Sequence, residues 1–102
     1  MKKVKAFIEI GKKLDYDIYS DPDAEAGVTF MLLGQGKTIS EAKQDFFVCF
    51  EDLKKSYHRQ GKVVPEIEFE FVYEVESFLK YAPSLLRNSA VRTKANHQYV
   101  EV

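Results

Sequence analysis

The feature that most constrains the fold of this chain is an amphipathic segment that starts at Thr38 and spans about six helical turns. Thr38 and Glu41 are spaced as a capping box, in which the threonine hydroxyl accepts a hydrogen bond from the Glu41 amide and the glutamate side chain reaches back. Gly61 has the position of a left-handed C-terminal cap. Between these caps, apolar residues recur at steps of three and four and form one stripe: Ile39, Ala42, Phe46, Cys49, Phe50, Leu53 and Tyr57. Because such a helix needs an apolar surface to pack against, we expect the rest of the chain to supply a sheet.

Four other segments have the patterns of β-strands. Residues 4–10 and 15–20 alternate apolar and polar side chains, as strands with one buried face do. Residues 28–33 are apolar at nearly every position until Gly34 and Gly36 interrupt them, so we expect this third strand to be covered on both faces and to end there. The fourth segment, residues 66–73, follows the helix and alternates again.

Together these elements predict an α+β fold of β-β-β-α-β order, with one main helix packed on a four-stranded sheet. Short connections make the first three strands an antiparallel meander. A strand–helix–strand crossover is right-handed, and we expect it to place the fourth strand beside the first, in the spatial order 3-2-1-4. Residues 74–82 predict a short helix that Pro83 ends or kinks, and residues 88–102 predict a disordered tail. We therefore divide the chain into a domain of residues 1–73 and a C-terminal helix and tail of residues 74–102.

The composition excludes several classes of protein. The 102 residues suffice for one domain with a core, and the formal net charge of −1 excludes a globally basic nucleic-acid binder. Cys49 is the only cysteine, which excludes an internal disulfide and a cysteine-cluster zinc site and suits a reducing cytoplasm. The sequence has neither a signal-peptide pattern nor the ~18 consecutive apolar residues of a membrane span. We predict a cytoplasmic protein without membrane contact.

One run of residues resembles a known family. Residues 36–42, GKTISEA, are similar to the G-x-T-x-x-E-A segment that enters the helix of HicB-like antitoxins, which belong to type II toxin–antitoxin systems. LLGQGKT at residues 32–38 and PEIEFEFVYEVESFLKYA at residues 65–82 resemble a Bacteroides-type subgroup of that family. The resemblance covers about residues 3–82 and implies a partial ferredoxin-like domain of β-β-β-α-β order.

The resemblance also implies partners. HicB-like proteins bind and block HicA-type toxins, which are small basic mRNA-cleaving ribonucleases, and they tend to form homo-oligomers such as dimers. They also repress their own operon through a C-terminal helix-turn-helix. This chain departs from the family in two places: it lacks the common D-x-P-G-C turn, and the 16 residues after Leu86 are too few for a helix-turn-helix. We therefore expect a truncated DNA-binding element, which disfavours binding to DNA.

A row of glutamates is the first candidate partner site. Glu66, Glu68 and Glu70 alternate on one face of the fourth strand, and no basic residue lies between Pro65 and Leu79. One interpretation is an acidic surface that attracts a basic toxin by mimicking phosphate. The other is the solvated side of an edge strand, where charges deter unwanted strand pairing.

A second candidate surface is apolar. Phe7, Tyr19 and Met31 lie at the strand positions opposite the face that the helix is expected to cover. They predict a patch that receives a second copy of the chain or the C-terminal helix, although scattered aromatic residues in water give the same pattern.

The remaining patterns give weaker indications. Arg87, Arg92 and Lys94 make the tail basic, which is typical of a nucleic-acid contact or of a solvated terminus. The only two histidines are distant in sequence, and Cys49 lies in the helical stripe, so we assign no metal ligand, catalytic residue, cofactor or small-molecule substrate. The expected function is neutralisation of a HicA-type toxin by occlusion. The alternatives are an orphan homo-oligomeric domain without a toxin and an operon repressor.

Overall fold

A computed structural model describes residues 1–86, 89–94 and 96–102. Its helices and strands are, in chain order, β1 (Lys2–Ile10), β2 (Tyr16–Ser20), β3 (Leu32–Gly36), α1 (Ile39–Arg59), β4 (Ile67–Glu74), α2 (Val75–Tyr81), β5 (Arg92–Lys94) and β6 (His97–Glu101). Two 3-10 turns lie at Ala24–Ala26 and Pro83–Leu86. Within the described residues, neither helix combines the length and the apolar character that a membrane crossing requires.

The sheet has six strands in the order β3-β2-β1-β4-β6-β5, so the predicted α+β fold and the order 3-2-1-4 are confirmed. β1 pairs antiparallel with β2, and β2 pairs antiparallel with β3. β4 pairs parallel with β1, because the chain crosses over the sheet through α1 before it returns. The predicted short helix is present as α2.

The prediction of a disordered tail is wrong. The described residues of the tail form a hairpin in which β5 and β6 pair with each other, and β6 also pairs with the last residues of β4. The segments are only three and five residues long, too short for periodicity to be detected, but Tyr99 and Val100 of β6 are both buried. The hairpin is therefore stabilised by pairing with β4 and by the burial of these two side chains.

The third strand also differs from its prediction. β3 begins at Leu32 and contains both glycines, and neither Met31 nor Leu33 is covered, since both are exposed to solvent. α1 lies so close to β3 that a methyl group on Gly34 would overlap the Ala42 carbonyl oxygen and the Phe46 backbone nitrogen. The two glycines thus serve as the contact surface for the helix, and Gly34 lies within the strand, which ends only at Gly36.

The helix α1 has the predicted caps. Thr38 Oγ1 accepts a hydrogen bond from the Glu41 amide over 3.0 Å, while the Glu41 carboxylate accepts from the Lys37 amide over 2.9 Å instead of from that of Thr38. At the other end, Gly61 has φ 71° and the Lys62 amide donates to the Tyr57 carbonyl, as in a helix that ends on a left-handed glycine.

Apolar side chains fill the space between α1 and the sheet. Ala42, Phe46 and Phe50 of the predicted stripe are buried there against Ile8 and Ile18. α1 lies mainly over β2 and β3, and aromatic rings extend from it to β4, where the Phe46 ring lies 4.9 Å from that of Phe69. The core therefore depends on a close backbone approach at one side of the sheet and on large rings at the other.

We predict that Gly34→Ala lowers the free energy of unfolding by about 1–3 kcal/mol, because the added methyl group has to displace backbone atoms of α1. Urea denaturation followed by circular dichroism measures the effect. Gly11→Ala is the matched control, since a methyl group there meets only the flexible side chain of Asp15. Equal stability of the two variants would contradict this account of the helix–sheet contact.

Candidate functional site

The β4 glutamates (Glu66, Glu68 and Glu70) lie beside lysines that the sequence pattern did not reveal. The parallel register with β1 places Lys3 beside Glu68 and Lys5 beside Glu70. Lys5 Nζ lies 2.6 Å from Glu70 Oε2, and both side chains are partly shielded from water. Within the described residues, Glu66 and Glu68 form no ion pair. The carboxylates of Glu66 and Glu68 are therefore available to a partner, whereas that of Glu70 is bound to Lys5 within the sheet.

The pairing of Lys5 with Glu70 shifts both groups toward their charged forms. Desolvation lowers the pKa of the Lys5 ammonium, but the hydrogen bond to Glu70 and the charge of that carboxylate outweigh it and raise the pKa above the ordinary 10.5. The hydrogen bond from Lys5 lowers the pKa of Glu70 below its ordinary 4.5, against a smaller opposing effect of desolvation. Both groups are therefore charged at neutral pH and contribute to the stability of the β1–β4 pair.

The other face of β4 carries aromatic side chains. Phe69 and Phe71 point toward α1, where the Phe47 ring packs on both at centroid distances of 6.2 and 5.8 Å. Phe47 is nevertheless 42% exposed, and its neighbour Val48 is 58% exposed. The sequence analysis missed both residues because they lie off the helical stripe. The available signal was the unbroken apolar run at residues 46–48, which is wider than a buried stripe requires.

The predicted apolar patch is only partly an open surface. Phe7 is 3% exposed, because His97 and Tyr99 of β6 cover it with ring centroids at 4.5 and 6.2 Å. Tyr19 is half-buried and stacks on Phe7 at 5.4 Å, whereas Met31 lies apart from this cluster and is exposed. The C-terminal hairpin, not a helix, thus occupies the position that the sequence left open for a partner or for the C-terminal helix.

A hydrogen bond and an ion pair hold the hairpin against the acidic loop after β2. His97 Nε2 lies 2.7 Å from Asp21 Oδ2, and Lys94 Nζ lies 3.6 Å from Asp23 Oδ2. Arg92 Nε lies 3.6 Å from Glu101 Oε1. Arg92 and Lys94, two of the predicted DNA-binding residues, are exposed but each faces a carboxylate; the third, Arg87, lies outside the described residues. The hairpin therefore presents little uncompensated positive charge to a nucleic acid.

Other chemistry-bearing groups on the described surface do not converge. Residues 1–86, 89–94 and 96–102 contain no group of three or more histidine, cysteine, aspartate or glutamate side chains that could hold a metal ion. Burial and the nearby charges of Glu74, Asp17 and Glu76 raise the pKa of Glu9, because they disfavour its charged form. Cys49 is partly buried in the helical stripe.

We predict that Phe7→Ala destabilises the protein by about 3–5 kcal/mol, because it empties the centre of a buried aromatic cluster. Met31→Ala is the control and should change the stability by less than about 0.5 kcal/mol, since Met31 is exposed. Thermal denaturation of both variants tests this. A stable, well-folded Phe7→Ala protein would indicate that the hairpin does not cover Phe7 in solution.

We also predict that Glu70→Gln lowers the stability at neutral pH by about 0.5–1 kcal/mol, the range of a partly exposed ion pair. Since the pKa of Glu70 is lowered in the folded state, its contribution is complete above the ordinary value of 4.5 and is lost as the pH falls through the folded value. The difference between the parent protein and the variant should therefore shrink in acid. Urea denaturation from pH 7 to pH 3 measures the difference in the free energy of unfolding. Glu68→Gln is the control, because it removes no ion pair. A stability difference between the parent protein and Glu70→Gln that does not change with pH would contradict the assignment of the Lys5–Glu70 ion pair.

No protein-family model, curated protein or solved structure matches this chain. Its function has to be inferred from the chemistry of its own surface. The part of that surface with the strongest binding character is β4, where Glu66 and Glu68 form no ion pair among the described residues and the exposed Phe47 ring of α1 packs on the opposite face.

Proposed function

We propose that this chain is an antitoxin-type binding module that neutralises a HicA-type toxin by occlusion, without catalysis of its own. The proposal originates in the similarity of residues 36–42 and 65–82 to HicB-like proteins, and the α+β fold agrees with the β-β-β-α-β order that this similarity implies. The observation that carries it is the β4 strand: Glu66 and Glu68 have no ion-pair partner among the described residues, and the half-exposed Phe47 packs on Phe69 and Phe71 at the opposite face.

Charge supports this choice of partner. A ribonuclease must attract the phosphates of its RNA, so its substrate-binding surface is basic. Carboxylates that are not neutralised internally attract such a surface and raise the rate of association. Phe47 and Val48 add apolar area that becomes buried on binding, which stabilises the complex once it has formed. Covering the RNA-binding surface is sufficient for inhibition.

The two alternatives have less support from the arrangement of residues. A homo-oligomer through the apolar patch would need Phe7, which the hairpin buries, and would retain only Met31 and part of Tyr19. An operon repressor would need basic groups directed to DNA, whereas Arg92 and Lys94 face Glu101 and Asp23. Protein binding through β4 uses groups that are already exposed.

We predict that co-expression of this chain restores the growth of cells that produce the small basic protein encoded by the adjacent reading frame. Replacing Glu66 and Glu68 together by lysine should weaken this rescue and reduce capture in a pull-down titration at least tenfold, the effect of about 1.4 kcal/mol. The Glu70 position is left intact because Glu70 stabilises the sheet through Lys5.

The control variant carries the same change of charge at a distance from β4. Asp15 and Glu25 are exposed, and their replacement by lysine should leave the rescue and the affinity unchanged. If the co-expressed protein remains toxic in the presence of the parent chain, the proposed function is wrong. If the control variant loses as much affinity as the β4 variant, the binding depends on overall charge and the assignment of the site to β4 is wrong.

A further inference from the structure

No described strand pairs with the first part of β1 on the side of β2, but the 3-10 turn at Ala24–Ala26 contacts β1 there. The sheet has three other edges that a further strand could approach, and two of them are protected. On the outer edge of β3, the Gln35 amide donates a 2.9 Å hydrogen bond to Asp45 of α1, so the helix already occupies a donor of that edge. β5 is only three residues long and carries Arg92 and Lys94, and short, positively charged edge strands resist pairing. The third edge is the first part of β4.

β4 is paired on both sides only at Val72 and Tyr73. β1 pairs with it from Ile67 to Tyr73, but β6 pairs only with Val72, Tyr73 and Glu74. No strand within the described parts of the chain pairs with residues 67–71 on the side of β6. This stretch is the free edge of β4.

The register determines which backbone groups the free edge presents. The Lys2 amide donates to the Glu66 carbonyl, so the even-numbered residues of β4 direct their backbone groups toward β1. The odd-numbered residues alternate with them and direct theirs away from β1. The N–H and C=O groups of Ile67 and Phe69 therefore face outward, where an additional strand would bond to them.

The two faces of the free edge differ in chemistry. Phe69 and Phe71 lie on the α1 side together with the exposed Phe47, so every second residue of an added strand would meet aromatic carbon. On the other side the alternate residues would meet Glu68 and Glu70, of which Glu68 has no ion-pair partner among the described residues. An added strand with alternating apolar and basic residues would satisfy both faces.

The same pattern disfavours a second copy of this chain. If two β4 edges paired with apolar residues on a common face, glutamates of one copy would lie directly opposite or beside glutamates of the other. Like charges in such positions destabilise a sheet. A shift by one residue would remove the repulsion but would place aromatic residues on the charged face.

We infer that the free edge of β4 binds an extended segment of a basic protein partner by strand addition, with apolar residues of that segment against Phe47, Phe69 and Phe71 and basic residues against Glu66 and Glu68. This inference deepens the proposed function and rests on it for the nature of the partner. It adds the manner of binding and the kind of sequence that the partner must contain.

The test uses the full chain and a short blocked peptide of alternating valine and lysine. With free peptide at about ten times its Kd, hydrogen exchange of the Ile67 and Phe69 amides should slow about tenfold, because only the unbound fraction exchanges. Amide resonances of Ile67, Phe69 and Phe47 should shift, whereas those of Gln35 and Thr93, on the other two edges, should not.

Matched peptides separate strand addition from attraction of charge. In one peptide, N-methylation is placed on the alternate residues whose N–H groups face β4; this removes the donors to β4 and should abolish binding. In the other peptide, it is placed on the remaining residues, whose N–H groups face solvent, and should leave binding unchanged. A peptide with glutamate in place of lysine should not bind. Equal binding of the two N-methylated peptides, or slowed exchange at β3 or β5 instead, would overturn the inference. A dependence of the Ile67 and Phe69 exchange on protein concentration without peptide would also overturn it, in favour of a second copy.

The result is independent of the toxin experiment. Peptide binding at residues 67–71 together with failure to restore growth would support strand addition and reject the toxin as the partner. Restored growth together with no peptide contact at this edge would support the proposed function and reject its mode of binding.

Discussion

The close contact between α1 and β3 is the constraint on which the rest of the structure depends. Gly34 and Gly36 lack the side chains that would separate the helix from the strand, and Ala42 on the helix is itself small. With the helix axis displaced toward this edge, large rings are needed to fill the space above β1 and β4, where the sheet offers Val4, Ala6 and Ile8. Phe46 and Phe50 reach across, and Phe47 reaches the rim of the same cluster. The exposed Phe47 is thus a direct consequence of where the helix lies.

The two sides of the sheet are covered by different parts of the chain. α1 covers the side of Ile8 and Ile18, and the C-terminal hairpin bends over the opposite side onto Phe7 and Tyr19. The pairs His97–Asp21 and Lys94–Asp23 fix the hairpin to the loop after β2 and bring the end of the chain against its first quarter. Because β6 meets only the last part of β4, the same arrangement leaves the first part of β4 without a neighbour.

The surface that we propose for binding lies where both the helix and the hairpin stop covering the sheet. Glutamates and phenylalanines alternate along β4, so one strand presents charge to one side and aromatic carbon to the other. Lys5 neutralises Glu70 within the sheet, which moves the available negative charge toward Glu66 and Glu68. A basic partner finds there both an electrostatic attraction and an apolar contact, while a second copy of the chain meets its own charge. This difference in charge complementarity favours a heteromeric complex over self-association.

The sequence by itself determined the elements whose information is local and repeated. The capping residues of α1, its apolar stripe, the alternation of β1, β2 and β4 and the chirality of the crossover sufficed for the fold class and for the order of four strands. Gly34 was misread as a break because glycine weakens a strand pattern, and only the position of the helix reveals that Gly34 and Gly36 form its contact. The hairpin of β5 and β6 is too short to carry a periodic signal and is stabilised by its contacts with Phe7 and β4.

The partners of the β4 glutamates could not be read from sequence either, since Lys5 and Glu70 are 65 positions apart and meet only through strand register. Tertiary structure alone decided which charges are neutralised and which edge stays open, because both depend on pairing between distant segments.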